Sequence, residues 1–104
     1  MKIYKISQSL LDGYDTYDSA VVVAENEDDA RNIHPSKFVT HVKDGKWMWT
    51  YPEIWWVEDD ELGKEYENEE GTWVKYKDIE NIEVQYLGET NLEPGLILAS
   101  FNAG

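Results

Sequence analysis

An unbroken run of β-branched residues between small ones marks the most clearly defined strand of the chain. Residues 20–24 read AVVVA, with no polar residue in alternation. β-branched side chains fit a pleated strand better than a helix, and such a run is typical of a strand that is covered on both faces. The pattern therefore predicts a strand in the centre of a sheet.

A short helix is predicted directly after this strand. Asn26 stands at an N-cap position, and the carboxylates of residues 27–29 would lie near the positive end of the helix dipole. This helix capping accounts for the acidic first turn without a binding role. Ala30 and Ile33 share a helix face, which we expect to lie on the sheet. Pro35 disfavours helical geometry at the preceding residue, so the helix is predicted to end at residue 34.

Six other segments show the alternation or the short apolar runs of strands. They are residues 2–9, 36–44, 46–51, 72–77, 82–88 and 96–101. The apolar residues 54–57 fit either a further strand or a short helix that begins at Pro52, and their β-prone side chains favour a strand.

A β-hairpin rich in aromatic residues is predicted in the middle of the chain. Asp44 and Gly45 form a turn signal between two of the strands, and alternation places Trp47, Trp49 and Tyr51 on one face. A length of 104 residues fits one domain. We therefore expect a single α+β domain over residues 1–104: a mainly antiparallel sheet, one short helix packed on one face, and an aromatic β-hairpin insertion within residues 36–77.

The charge balance is strongly negative. Nine Lys and Arg stand against 22 Asp and Glu, a formal net charge of −13. A field of this sign repels nucleic acid and anionic membranes and steers a protein toward basic surfaces. The densest acidic run, residues 58–70, is predicted to be a surface loop or a frayed element because like charges repel. Its acidic residues are Glu58, Asp59, Asp60, Glu61, Glu65, Glu67, Glu69 and Glu70.

Six large aromatic residues lie close together in the same part of the chain. They are Trp47, Trp49, Tyr51, Trp55, Trp56 and Trp73. They fit three interpretations: core packing of the insertion, anchors of a protein interface, or a stacking platform for a planar ligand.

Residues with catalytic or metal-binding chemistry are scarce. The chain has no Cys and two His, and it carries none of the common nucleophile, phosphate-binding or zinc motifs. A protonated His34 would complement the C-terminal end of the helix dipole, and His41 fits an ordinary strand position. Asp12, Asp15 and Asp18 are better explained by turn chemistry than by a metal. We therefore expect no enzyme activity, no metal and no cofactor.

The sequence shows neither a membrane span nor an export signal. The N-terminus lacks the apolar core of a signal peptide, and no stretch approaches the roughly 18 apolar residues of a membrane span. We therefore expect a cytoplasmic protein that does not bind membranes.

Both ends of the chain resemble a family of small proteins of bacteriophages and prophages. The matching features are YDTYDS at residues 14–19, the acidic helix ending in ARNIHP at residues 30–35, and ASFNAG at residues 99–104. The resemblance covers residues 1–35 and about 78–104. It implies a phage or prophage setting, and so the host cytoplasm, but no reaction.

Charge, aromatic residues and resemblance together predict a non-enzymatic interaction protein. It would bind a basic host or phage protein, as an inhibitor or as a nucleic-acid mimic acting against host defence, without binding nucleic acid directly. The predicted partner-binding residues are the eight carboxylates of residues 58–70 with Trp47, Trp49, Tyr51, Trp55 and Trp56. Two alternatives stay open: a binding module for a planar small molecule, and an enzyme with an unrecognised site. The sequence does not indicate an oligomeric state.

Overall fold

The computed structural model describes residues 1–11, 15–36, 38–50, 64–68 and 71–102. Within them the chain forms seven strands: β1 (Lys2–Ser7), β2 (Thr16–Ala24), β3 (Val39–Lys43), β4 (Lys46–Thr50), β5 (Glu65–Glu67), β6 (Glu83–Glu89) and β7 (Gly95–Asn102). The helical segments are α1 (Glu27–Arg31) and a 3-10 helix (Tyr76–Asn81). The strands form two antiparallel sheets, which confirms a mainly antiparallel α+β fold.

The larger sheet has the strand order β6-β1-β2-β7. Its register defines two rows of side chains on the inner face. They are Tyr86–Tyr4–Val22–Leu96 and Val84–Ile6–Ala20–Ala99. Ile6 and Val22 have no exposed surface, and β2 is flanked by strands on both sides. The apolar run of residues 20–24 is therefore a central strand, as predicted.

Helix α1 covers the inner face of this sheet. The side-chain oxygen of Asn26 accepts a hydrogen bond from the Asp29 N–H at 2.8 Å, so Asn26 is the N-cap. Ala30 is fully buried against the core. The helix ends at Arg31 and not at residue 34, because the Asn32 side chain donates to the Asp28 carbonyl at 2.8 Å and closes the last turn.

The smaller sheet has the order β3-β4-β5. Strands β3 and β4 pair across Asp44 and Gly45, whose φ angles of 53° and 73° suit a tight two-residue turn. Strand β5 pairs with β4, so residues 65–67 of the acidic run form a short strand where a surface loop or a frayed element was predicted. The remainder of the expected insertion between residues 51 and 63 lies outside the residues described.

Residues 72–77 do not form the predicted strand. Trp73 and Val74 are adjacent and both buried, which strand alternation does not allow on a one-sided sheet. The 3-10 helix begins at Tyr76, where the Asp78 N–H bonds to the Lys75 carbonyl at 2.8 Å. The described residues therefore contain two short helices, whereas the sequence predicted one.

Candidate functional site

Trp47 joins the smaller sheet to the core of the larger one. It is buried, and its indole N–H donates to the Val74 carbonyl at 3.0 Å. Its ring meets those of His34 and Tyr76 edge-on, each with a centroid distance of 5.2 Å. The Tyr76 hydroxyl donates to the Asn32 side chain at 2.6 Å, which fixes Tyr76 beside the end of α1. Trp47 is therefore a core residue as well as a predicted anchor.

His34 is buried within this aromatic group. Burial lowers the pKa of its imidazole to about 4, so the ring is neutral at pH 7. Its Nδ1 accepts the Ser36 N–H at 2.9 Å, which places the ring hydrogen on Nε2. The Asn68 side-chain amide lies 3.5 Å from Nε2. The expectation of a protonated His34 at a helix end is therefore wrong, because the helix stops earlier and the ring is desolvated.

A cavity of about 730 Å³ lies beside these rings. We call it the indole cavity. Its aromatic lining consists of His34, Trp47, Trp73 and Tyr76. Trp73 is 3% exposed, and its indole N–H has no acceptor among the described residues. A buried donor without an acceptor is costly.

Lysine side chains give the indole cavity a charge opposite to that of the whole protein. Lys46, Lys75 and Lys77 are exposed and line it, three of the nine basic residues of the chain. Glu67 and Asp78 lie on the same lining, and Lys46 Nζ is 3.3 Å from a Glu67 oxygen. The cavity therefore combines aromatic walls with a mixed, lysine-rich rim.

Carboxylates of β5 are paired with cations of the neighbouring hairpin. Glu65 lies 2.6 Å from Lys43 Nζ and 3.0 Å from His41 Nε2. The hydrogen bond from Lys43 lowers the pKa of Glu65, and the same bond raises the pKa of Lys43. Both groups are solvated, so water screens the pair. Both described carboxylates of the acidic run, Glu65 and Glu67, are therefore compensated.

The structure describes four of the thirteen predicted partner-binding residues. Trp49 is half-buried and stacks on Tyr66 of β5, with centroids 4.9 Å apart and planes at 26°. Trp47, Glu65 and Glu67 have the contacts given above. The other nine lie outside the described residues: Tyr51, Trp55, Trp56, Glu58, Asp59, Asp60, Glu61, Glu69 and Glu70.

A second acidic surface surrounds α1, and the sequence did not single it out for binding. Arg31 donates to the Ile82 carbonyl at 3.3 Å and so holds α1 next to the start of β6. The exposed carboxylates of these two elements and their flanks form what we call the acidic patch: Glu25, Glu27, Asp28, Asp29, Glu80 and Glu83. Helix capping explains the carboxylates at residues 27–29 from the sequence alone. Only tertiary packing brings the carboxylates that flank β6 next to them.

The described residues form neither a metal-binding cluster nor a membrane-spanning helix. No group of three or more His, Asp or Glu side chains there is arranged to hold a metal ion. No helix among those residues is long and apolar enough to cross a membrane.

Comparison with known proteins gives no relative from which a site could be transferred. No protein-family model, curated protein or solved structure matches the chain.

Proposed function

We propose that the protein is a non-enzymatic interaction protein that binds a basic protein partner through its carboxylates. The observation that carries the proposal is the lack of charge compensation. Fourteen carboxylates belong to described residues, and three of them, Asp28, Glu65 and Glu67, lie within ion-pair distance of a cationic side chain. The other eleven have no such partner in that part of the chain, so their field is directed to solvent.

The acidic patch groups six of the fourteen carboxylates of the described residues. The Arg31 guanidinium lies 3.5 Å from the Asp28 carboxylate, and its other hydrogen bond goes to the Ile82 carbonyl. It therefore neutralises one carboxylate of the patch. The remaining carboxylates are available to lysine and arginine side chains of a partner. Desolvated aromatic residues of the predicted insertion would add affinity, and the carboxylates would select a basic partner.

Inhibition by imitation of nucleic acid is the form of this function that we favour. Carboxylates on a fixed scaffold can occupy the arginine and lysine sites of a nucleic-acid-binding protein and release its counterions as phosphates do. The resemblance to phage proteins supports a host protein, such as a component of defence, as the target.

The test compares two double variants that remove the same charge. Glu25→Gln with Glu27→Gln alters exposed, uncompensated carboxylates, whereas Glu65→Gln with Glu67→Gln alters compensated ones. Basic proteins from a bacterial lysate are captured on each immobilised variant and eluted with a salt gradient. We expect the retention of basic proteins on wild type to fall steeply as the salt concentration rises. At a given salt concentration, the first variant should retain much less of these proteins than the second.

A third variant tests the predicted acidic run directly, with Glu58→Gln, Asp59→Asn, Asp60→Asn and Glu61→Gln combined. We expect it to release the captured protein at lower salt than wild type. Retention that does not change with salt, or that is equal in all variants, would contradict electrostatic recognition.

The indole cavity supports a second candidate, the binding of a planar small molecule. The specific observation is that four aromatic side chains, His34, Trp47, Trp73 and Tyr76, line a cavity of about 730 Å³. A panel of nucleobases and nucleotides, followed by tryptophan fluorescence, tests it. Trp73→Phe keeps a ring but removes the donor, and Trp49→Phe is the control away from the cavity lining. Binding that weakens in Trp73→Phe alone would support the candidate, and no binding by any compound would exclude this ligand class.

A further inference from the structure

The two edges of the larger sheet differ in their protection against pairing with another strand. Edge strand β6 carries Glu83 and Glu89, and its register shifts beside Ile3 and Tyr4. Register shifts occur along both edge strands, once beside β6 and twice along β7, so it is charge that distinguishes the two edges. Charged side chains are one of the features with which natural proteins block edge-to-edge association. Edge strand β7 has no charged side chain, and the chain has none from Pro94 to Gly104. In the described structure β7 has a neighbouring strand on one side only.

Large apolar side chains are exposed along β7. Ile97, Leu98 and Phe101 are 47%, 65% and 46% exposed, three of the nine exposed large hydrophobic residues in the described part of the chain. The register explains why two neighbours are both exposed. Val21 pairs with Leu98 and Val22 with Leu96, so Ile97 is an extra residue at a bulge. Leu98 then lies on the outer face next to Val21.

We propose that β7 is a self-association edge, at which β7 of a second copy pairs antiparallel and joins the two four-stranded sheets into one of eight strands. Two copies with a charge of −13 each repel over most of their surfaces. The uncharged β7 is the part of the sheet where they approach at least cost. Antiparallel pairing of a strand with itself is symmetric, so each copy brings the same apolar side chains to the contact.

A second copy suits this edge better than the basic partner proposed above. A basic protein is recognised by carboxylates, and β7 offers none. Main-chain hydrogen bonds and the side chains of Ile97 and Leu98 instead favour a strand of equal apolar character. The inference therefore goes beyond the proposed function and does not depend on it.

Sedimentation equilibrium of the whole chain at low and high salt tests the proposal. We expect a monomer–dimer equilibrium that shifts toward the dimer as salt rises, because salt screens the repulsion between copies. Binding to a basic partner has the opposite salt dependence, so the two functions can fail independently. A monomer at every concentration and salt would overturn the proposal.

Leu98→Lys places a charge on the β7 edge, and Leu92→Lys places the same charge on a 55% exposed leucine outside it. We expect Leu98→Lys to raise the dissociation constant of the dimer about tenfold or more. The lysine would be desolvated next to the same lysine of the second copy, a like charge. We expect the second to leave the dimer intact. Both leucines are exposed, so both variants should fold.

Hydrogen exchange locates the contact without a substitution. Amides of residues 95–102 should exchange more slowly as protein concentration rises, and those of residues 83–89 should not change. Equal dimerisation of the two lysine variants, or protection at β6 and not at β7, would show that another surface associates.

Discussion

The imidazole of His34 meets the indole of Trp47 edge-on, with ring centroids 5.2 Å apart and planes at 82°. His34 follows α1, whereas Trp47 belongs to the smaller sheet. His34 also meets the ring of Tyr17 in β2 edge-on, with ring centroids 6.3 Å apart. One buried, neutral histidine thus links the two sheets, and the stability of the fold depends on its staying neutral.

Stability should therefore decrease as the pH falls below 6.5. The folded pKa of His34, about 4, lies below the ordinary histidine value of 6.5, so the unfolded state binds the proton first. The contribution is fully present above pH 6.5 and is lost as the pH falls to about 4. Between pH 7 and 5 we expect a loss of about 2 kcal/mol in the free energy of unfolding. Urea unfolding of wild type and His34→Gln checks this, because the variant should show a flatter profile in that window. Parallel profiles would mean that His34 titrates normally.

Trp47 should contribute strongly to stability. Trp47→Ala leaves a large cavity in the core, and we expect a loss of about 3–5 kcal/mol in urea unfolding. Trp47→Phe keeps an aromatic ring but leaves the Val74 carbonyl without its donor, which should cost about 1–3 kcal/mol. A Trp47→Ala variant as stable as wild type would mean that the indole is not part of the core.

The cap of α1 should be worth a measurable amount despite its exposure. Asn26→Ala removes the acceptor for the Asp29 N–H and should lower the free energy of unfolding by about 1 kcal/mol. Asn26→Ser keeps an oxygen acceptor and serves as the matched control. Equal losses in both variants would indicate that the amide group acts in some other way.

The turn between β3 and β4 should tolerate alanine poorly. Gly45 has a φ of 73°, which alanine adopts only with strain of about 1–2 kcal/mol. Gly71 has ordinary φ and open space around its Cα, so Gly71→Ala should be neutral or slightly stabilising. Thermal unfolding of the two variants compares them directly, and a neutral Gly45→Ala would contradict the turn geometry.

Local signals predicted particular elements of both sheets and the start of the helix. The AVVVA run specifies a central strand, Asn26 with the following carboxylates specifies a helix start, and Asp44-Gly45 specifies a hairpin turn. Each of these depends on neighbours in sequence, such as side-chain branching, an N-cap acceptor or backbone freedom. The strand prediction for residues 72–77 is wrong because the adjacent residues Trp73 and Val74 are both buried in the core.

What the chain alone determined is the excess of negative charge, the lack of cysteine and the position of its most regular elements, because these follow from residue type and short-range chemistry. Tertiary structure decided the rest. It buried His34 and so removed its charge, and it paired Glu65 with Lys43. It also brought the carboxylates of α1 beside those flanking β6, and left the uncharged strand β7 at an edge. Each of these outcomes depends on contacts between residues that are distant in sequence. The burial of a side chain and its ion pairing are therefore set only when the chain folds.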